Sequence, residues 1–280
     1  MSARPVIAVA WHAVAGYSDD LRLAHVLADG ADDITTRHFR ALELDARAKP
    51  DPAPVDDAER SVEEQIRGTL KRARPRDAIL GPEYGRTGYG QRYWIIDPID
   101  ATDNFVRGVP VWATLIALME HDEIVVGVAS APALNRRWWA ARGDGAWTGR
   151  NLNRAGRIQV SSVSELADAS LSYSGLGGWE EQGRLDRFLD LTRSVWRTRA
   201  FGDFWSHMMV AEGVVDISAA PEASLWDLAA LQVIVEEAGG MFTDLAGVPG
   251  PDGGSVVCTN GRLHAETLRT LGGGRLSLRL

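Results

Sequence analysis

Cysteine is nearly absent: Cys258 is the only one in 280 residues. No intramolecular disulfide can form, and a cytoplasmic, reducing setting is the expectation. Lysine is almost as scarce. Lys49 and Lys71 are the only two among 30 basic residues, and this preference for arginine carries no mechanism. No stretch approaches the roughly 20 apolar residues that a membrane span requires. The first 16 residues lack a basic region followed by a long apolar run and a cleavage site, so residues 1–19 read as an extension and not a leader. Basic charge is also short. The formal net charge of -8 argues against a nucleic acid or an anionic membrane as the main partner. Six histidines occur, none at a spacing typical of zinc sites. No internal repeat or low-complexity tract is visible.

What is present is a core. Hydrophobic residues make up 45% of the chain and include 10 Trp, which excludes disorder as a whole-chain description. Leu21, Ala24, Leu27, Ala28 and Ala31 recur at helical spacing, predicting a helix from Asp20 to about Leu42. Three prolines make Lys49–Val55 an extended connector. Ala58–Arg72 reads as a second helix with Val62, Ile66 and Leu70 on one face and Asp56 or Asp57 as its cap. Short apolar runs then predict strands at Ala78–Leu80, Tyr93–Ile96, Trp112–Met119, Ile124–Ala131 and Arg137–Ala141. The second half alternates. Ser170–Ser174, Val215–Ala219 and Ser255–Thr259 read as strands. Leu185–Val195, Ser206–Glu212, Trp226–Ala238 and His264–Leu271 read as helices. Clustered rather than strictly alternating elements favour an α+β layered fold. The polar, turn-like Gly149–Gly156 suggests a seam near 150, dividing the chain into halves 20–150 and 151–280.

Two segments carry chemistry. In Tyr93-Trp94-Ile95-Ile96-Asp97-Pro98-Ile99-Asp100-Ala101-Thr102-Asp103-Asn104-Phe105 an apolar strand is expected to end at Asp97, because Pro98 cannot continue a ladder. Two carboxylates three residues apart offer hard oxygen ligands for Mg²⁺. The helix start after them offers free backbone N–H groups for a phosphate. A plain turn with Asp100 or Thr102 as N-cap would use the same residues. The second segment, Leu225-Trp226-Asp227-Leu228-Ala229-Ala230 running on to Val235-Glu236-Glu237-Ala238-Gly239-Gly240, is an apolar helix with a glycine exit. Its Asp227 is either an N-cap or a carboxylate aimed into a site.

Together the segments resemble the inositol monophosphatase family of Mg²⁺-dependent phosphatases, whose strings run W-x-I-D-P-I-D-G-T-x-N-F and W-D-x-A-A-x-x-x-I-x-x-E-A-G-G. The likeness covers roughly Asp20 to Leu271. Within the family it is nearest to the actinobacterial histidinol-phosphate phosphatases. The run Asn104–Ala113, the Ser130–Leu134 and Arg136–Gly143 stretches, and Gly202-Asp203-Phe204 point to that subgroup. The resemblance implies a layered α/β/α/β/α sandwich and a homodimer. It also implies a phosphomonoester hydrolase acting on a small molecule through a water activated by Mg²⁺. By the same analogy Asp97 and Asp100 bind metal near the Ile99 carbonyl, and Asp227 binds a second metal. Thr102 orients the attacking water, and Asp203 contacts the substrate's organic part.

Several positions depart from that pattern. The family's Gly-Glu-Glu string reads Gly81-Pro82-Glu83-Tyr84, so Pro82 stands where a metal-binding Glu is expected. Proline brings neither carboxylate nor N–H. Glu83 follows one residue later. In an extended segment it points to the other face and takes over as metal ligand and catalytic carboxylate only if a bulge re-aims it. Ala101 replaces the family glycine, which adds a methyl beside the phosphate and strain if φ is positive. Asp103 reverses a charge often found there as Lys. Ala220, seven residues before Asp227, stands where these enzymes often place a Glu for the substrate's polar end, with Glu222 nearby. The family's Val-Thr-x-x-Asp string reads Val55-Asp56-Asp57-Ala58-Glu59. These changes keep a second expectation open: a repurposed or catalytically dead relative, with Mg²⁺ binding weakened or lost, that acts on or binds another small molecule.

The remaining candidates read as structural. His207, four residues after Asp203, lines the substrate pocket or sits on a helix surface, the commoner case. Cys258 reads as core filler, with no basic activator adjacent. Ser172 and Ser174 lack a nucleophile-elbow string. Gly175–Gly178 lacks the lysine of a P-loop. Trp138 and Trp139 read as core, and Arg197 and Arg199 as surface charge or anion contacts.

Overall fold

In the computed structural model, residues 16–40 and 53–272 are described. Two helices come first, α1 (Ser18–Arg40) and α2 (Ala53–Ala73). Ser18 and Asp19, expected in the extension, open α1, where Asp19 and Asp20 oppose the helix dipole and Arg37, His38 and Arg40 complement its end. The last three residues of the expected connector, Ala53–Val55, are already helical, because proline is tolerated in a first turn. Residues 49–52 lie outside the described part. Asp56 accordingly sits in the first turn and not at the cap.

An eight-stranded sheet follows, from β1 (Ala78–Gly81), β2 (Gly85–Thr87), β3 (Arg92–Asp100), β4 (Ala113–Glu120), β5 (Glu123–Ala131), β6 (Arg136–Ala141), β7 (Gly145–Asn151) and β8 (Arg154–Ile158). Its order is β2-β1-β3-β4-β5-β6-β7-β8, and β1–β3 is its parallel pair. The one-turn helix α3 (Thr102–Val106) leaves the end of β3. The Gly149–Gly156 segment, expected as a turn, is a β7–β8 hairpin. Its polar, glycine-rich sequence reflects an exposed sheet edge, not a break in the sheet.

The second half supplies β9 (Ser170–Ser172), α4 (Gly177–Glu181), α5 (Leu185–Ser194), β10 (Arg197–Arg199), α6 (Asp203–Ala211), β11 (Ile217–Ala220), α7 (Leu225–Glu237), β12 (Met241–Thr243), β13 (Val256–Thr259) and α8 (His264–Thr270). The five strands form a sheet in the order β10-β9-β11-β13-β12.

Strand alternation makes the layers. Trp94, Ile96, Ile116 and Leu118 pack with Leu27, Ile66 and Leu70 of α1 and α2. The intervening Ile95, Leu115 and Ala117 pack on the other face, with α6, α7, and Phe242, Val256 and Cys258 of the second sheet. The second sheet's outer face holds Leu171, Ile217 and Val257 against Trp179, Phe188 and Leu191. The result is the α/β/α/β/α sandwich. Helix α7 is buried on every side from Leu228 to Val235 because a sheet covers it above and below. At Gly127 of β5 an added Cβ would collide with the Ala230 carbonyl of α7, so glycine lets this helix lie directly on the strand. Trp138 and Trp139 are both core, as expected, and Cys258 is buried. No helix among the described residues is long and apolar enough to cross a membrane.

Candidate active site

Strand β3 does not end at Asp97. It runs through Pro98 to Asp100, with a bulge against β4 between Asp97↔Leu115 and Asp100↔Ala113. Pro98 is tolerated because the bulge asks no ladder N–H of it, and its carbonyl accepts the Thr114 hydroxyl at 2.8 Å. The bulge has a second effect. Residues three apart in a regular strand face opposite sides; one extra residue turns Asp97 and Asp100 to the same side.

Asp227 reaches that side from the first turn of α7. It is not the N-cap, which is Ser224; it accepts the Ser224 N–H at 2.8 Å, as the N3 residue of a capping box. One carboxylate oxygen from each of Asp97, Asp100 and Asp227 lies within 4.8 Å of the others. Each carboxylate is also fixed by a backbone amide: Asp97 by Ile99 N–H at 3.2 Å, Asp100 by Phe204 N–H at 2.9 Å, Asp227 by Ser224. Asp97 and Asp100 are 6% and 9% exposed. Burial is the main cause holding both carboxyls well above the ordinary range; Asp100 and Asp227 add to it at Asp97, and Asp203 and Asp227 at Asp100. Burial likewise raises Asp227 and Asp203.

These carboxylates line a cavity of about 730 Å³ together with Glu59, Pro82, Glu83, Ile99, Ala101, Thr102 and Asp103. Its lining holds seven carboxylates and no Lys or Arg. A phosphate could not enter such a field unaccompanied, whereas a divalent cation would remove the repulsion. The donor set therefore fits a hard cation: preoriented oxygens, one free on each carboxylate.

The segment carrying Pro82 is a turn, not the extended stretch expected. Buried Glu63 holds it, accepting the Glu83 and Tyr84 N–H groups at 2.9 and 3.3 Å. Gly81 is required there, since a Cβ would meet the Glu63 carboxylate at 2.5 Å. The turn places both Pro82 and Glu83 on the cavity wall. Glu83 Oε2 lies 3.4 Å from Arg60 Nε and stands outside the three-carboxylate cluster.

The sequence reading missed Glu59. This α2 residue is 3.2 Å from Thr102 Oγ1, whose hydroxyl also lies 2.9 Å from the Ile99 carbonyl. Burial raises the Glu59 carboxyl to about 7 against the lowering effect of Thr102, with Glu83 and Asp56 adding to the rise. The signal was the Val55–Glu59 string, where Glu59 occupies the place of the family's Asp with one more methylene.

Ala101 precedes α3 at φ 66, ψ 47, in the left-handed region. An L-residue pays about 1–2 kcal/mol there, more than glycine's extra chain entropy. Ala101→Gly should therefore raise the melting temperature by about 2 °C, read by thermal unfolding; an unchanged or lower value would mean the strain is absorbed. Asp203 also has positive φ, 48, after Gly202 at 84. Its amide donates to Ser174 Oγ at 2.9 Å, and that hydroxyl lies 3.2 Å from its carboxylate. Asp203 thereby lines the main cavity and a smaller recess beside it that also holds Ala220, Glu222 and His207. His207 is not a surface residue: it is 5% exposed.

The profile of the inositol monophosphatase family matches residues 18–274. The chain belongs to that family. It is 63% identical to a histidinol-phosphatase of Streptomyces coelicolor over 256 residues, covering 90% of this chain and 96% of the relative. A histidinol-phosphatase of Mycobacterium tuberculosis is 58% identical over 257 residues, covering 91% and 99%. Among solved structures, an inositol monophosphatase from Zymomonas mobilis superposes with a TM-score of 0.81 at 30% identity, covering 91% of this chain and 98% of that one.

Proposed function

We propose that the chain is a metal-dependent phosphomonoester hydrolase whose substrate is histidinol phosphate or a close analogue. The observation that carries this reading is the set of backbone-fixed carboxylates of Asp97, Asp100 and Asp227 beside the Thr102–Glu59 pair. A divalent cation bound there, Mg²⁺ in this reading, would neutralise phosphate charge and acidify an attacking water. The chain's own residues do the rest. Thr102 has one hydroxyl proton and two acceptors, Glu59 and the Ile99 carbonyl. When Glu59 is ionised, Thr102 can donate to it and accept from water; when water gives up a proton, the path ends on Glu59. Asp203 and the recess beside it receive the organic half. The high identity to histidinol-phosphatases supports the substrate. The single buried cysteine supports a cytoplasmic setting, and the family resemblance supports a homodimer.

Pro82 favours a second reading, in which the chain has left this reaction. Phosphate release from histidinol phosphate, inositol phosphates and sugar phosphates, with and without Mg²⁺, tests the first reading. Pro82→Glu restores a carboxylate on the cavity wall. It should lower the Mg²⁺ concentration for half-maximal activity at least about ten-fold, the scale at which even outer-shell metal partners act. A silent wild type with an active variant would establish the second reading.

A further inference from the structure

A second cavity, of about 590 Å³, opens where the first sheet, α7 and the β12–β13 loop meet, and it shares no lining residue with the metal cavity. Its size falls among small-molecule pockets, about 300–1,000 Å³. Asp97 lines one cavity and Tyr93, four residues earlier on β3, lines the other, about 13 Å away along the strand. Leu225, Gln232 and Glu236 share one face of α7, so that wall runs about 16 Å along the helix. Met119, Ile124 and Pro251 make much of the rest apolar. Asp122, Glu123, Glu236 and Asp252 bring four carboxylates to it. Arg142 is the basic residue of the lining, and Glu236 takes it at 2.8 Å. Among the described residues no salt bridge reaches Asp122, Glu123 or Asp252. Beneath them Gln232, 8% exposed, steadies Glu236 through Nε2 at 2.9 Å and keeps Oε1 unpartnered.

The spacing of these charges decides the ligand class. Asp122 comes from the β4–β5 turn of the first sheet and Asp252 from the β12–β13 loop of the second. Burial raises the Tyr93 hydroxyl, Arg86 opposes it with a guanidinium 4.9 Å over the ring, and Asp122 and Asp252 both add to the rise, so carboxylates from the two sheets face one aromatic. They do not converge on a point. Among the described residues, Asp97, Asp100 and Asp227 form the one group of three whose oxygens lie within 4.8 Å of one another. A divalent cation needs its oxygens gathered around it. Separated carboxylates around an apolar floor instead suit separate charges on one carbon chain, whose methylenes cover the floor while the charged ends stay at the rim. We propose that this cavity binds an aliphatic di- or polyamine, whose ammonium groups meet Asp122 and Asp252 while its carbon chain lies on Tyr93, Met119 and Ile124. The site is independent of the phosphomonoesterase reading, since the two cavities have no residue in common.

The test is calorimetric titration of the full chain with spermidine, 1,4-diaminobutane and 1-aminobutane in saturating Mg²⁺, at a salt concentration of about 0.15 M that screens charges beyond about 8 Å. The diamine and the monoamine have the same carbon body and differ by one ammonium. The diamine should bind at least about three-fold tighter, the scale of one partly exposed charge pair, and spermidine tighter still. Asp122→Asn and Asp252→Asn should each weaken spermidine binding about three-fold, and together about ten-fold. Asparagine accepts the positive φ of Asp122, 64, so the turn is kept. Asp186→Asn, at an exposed carboxylate of α5, should change binding by less than about two-fold. Equal affinity for diamine and monoamine, or spermidine binding that the double variant leaves intact, overturns the inference. So does an equal loss in Asp186→Asn, which would mark a diffuse response to the chain's net charge. Phosphate release is no part of the readout, so a hydrolytically silent protein would overturn the hydrolase reading and leave this one standing.

Discussion

Replacing Asp97 by Asn should cut phosphate release on the order of 100–1000-fold, the range seen when a single electrostatic stabiliser of a transition state is removed, and should make the metal-free protein more stable. Both effects have one cause. Two charges about 4.8 Å apart repel by roughly 3 kcal/mol at an effective dielectric of about 20, and Asp97 faces Asp100 and Asp227 at that range. Burial and these neighbours hold its folded-state carboxyl well above the ordinary value. The unfolded chain ionises near about 3.9. Between the two values the native state holds the extra proton, so stability is fully present at low pH and is lost as pH rises through the folded value. In chelator, the melting temperature of wild type should therefore fall on going from about pH 5 to pH 8, and Asp97→Asn should flatten that fall. The gap between variant and wild type widens with pH. Added Mg²⁺ reverses its sign, because only wild type keeps all three carboxylates to bind it. Thermal unfolding against pH, with and without Mg²⁺, reads each arm. A gap that does not depend on pH would mean the three carboxylates are not electrostatically coupled.

The carboxylate cluster was largely legible in the sequence, and the way the fold assembles it was not. Asp97, Asp100 and Asp227 stand in long, distinctive strings, and the structure brings their carboxylates together. What strand periodicity alone could not show is the bulge. A spacing of three predicts opposite faces, and Pro98 argues for the end of a strand. Both arguments fail for the same reason, one extra residue between Asp97 and Asp100. The layered core was legible through Trp94, Leu118, Ile66 and their neighbours, whose burial follows simple periodicity. The short strands β10 and β12 were missed because three residues at the outer positions of a sheet carry no alternation. The β7–β8 hairpin was missed because an exposed edge rich in glycine and arginine has the composition of a turn. His207 shows a different limit. A histidine on a helix is usually exposed, and only the packing of α6 between the two sheets makes this one a pocket wall.

Glu59→Gln should lower kcat about 100- to 10,000-fold, the span of general acid–base catalysis, while leaving the Mg²⁺ concentration for half-maximal activity nearly unchanged. Glu59 is absent from the three-carboxylate cluster and touches the site through Thr102. Glutamine preserves the length of the side chain and an oxygen for the Thr102 hydroxyl. What it removes is the ability to take a proton. If Glu59 only supported Thr102 by packing, the substitution would be mild. If it receives the proton that Thr102 relays, kcat collapses and KM does not. The pH profile adds a second readout. A proton acceptor must be ionised to work, so wild-type activity should rise with pH across an acid limb governed by a carboxyl that burial has raised to about 7. A cation on the neighbouring Asp97 favours the charged form and moves that limb to lower pH as Mg²⁺ increases. Glu59→Gln should lose the limb altogether. Glu59→Asp tests reach: one methylene shorter, it supplies the residue usual in the family but has to span to a Thr102 now held for glutamate, so it should recover part of kcat and keep the limb. Full activity in the Gln variant would remove Glu59 from the proton path and leave it, with the Ile99 carbonyl, only a part in orienting the Thr102 hydroxyl.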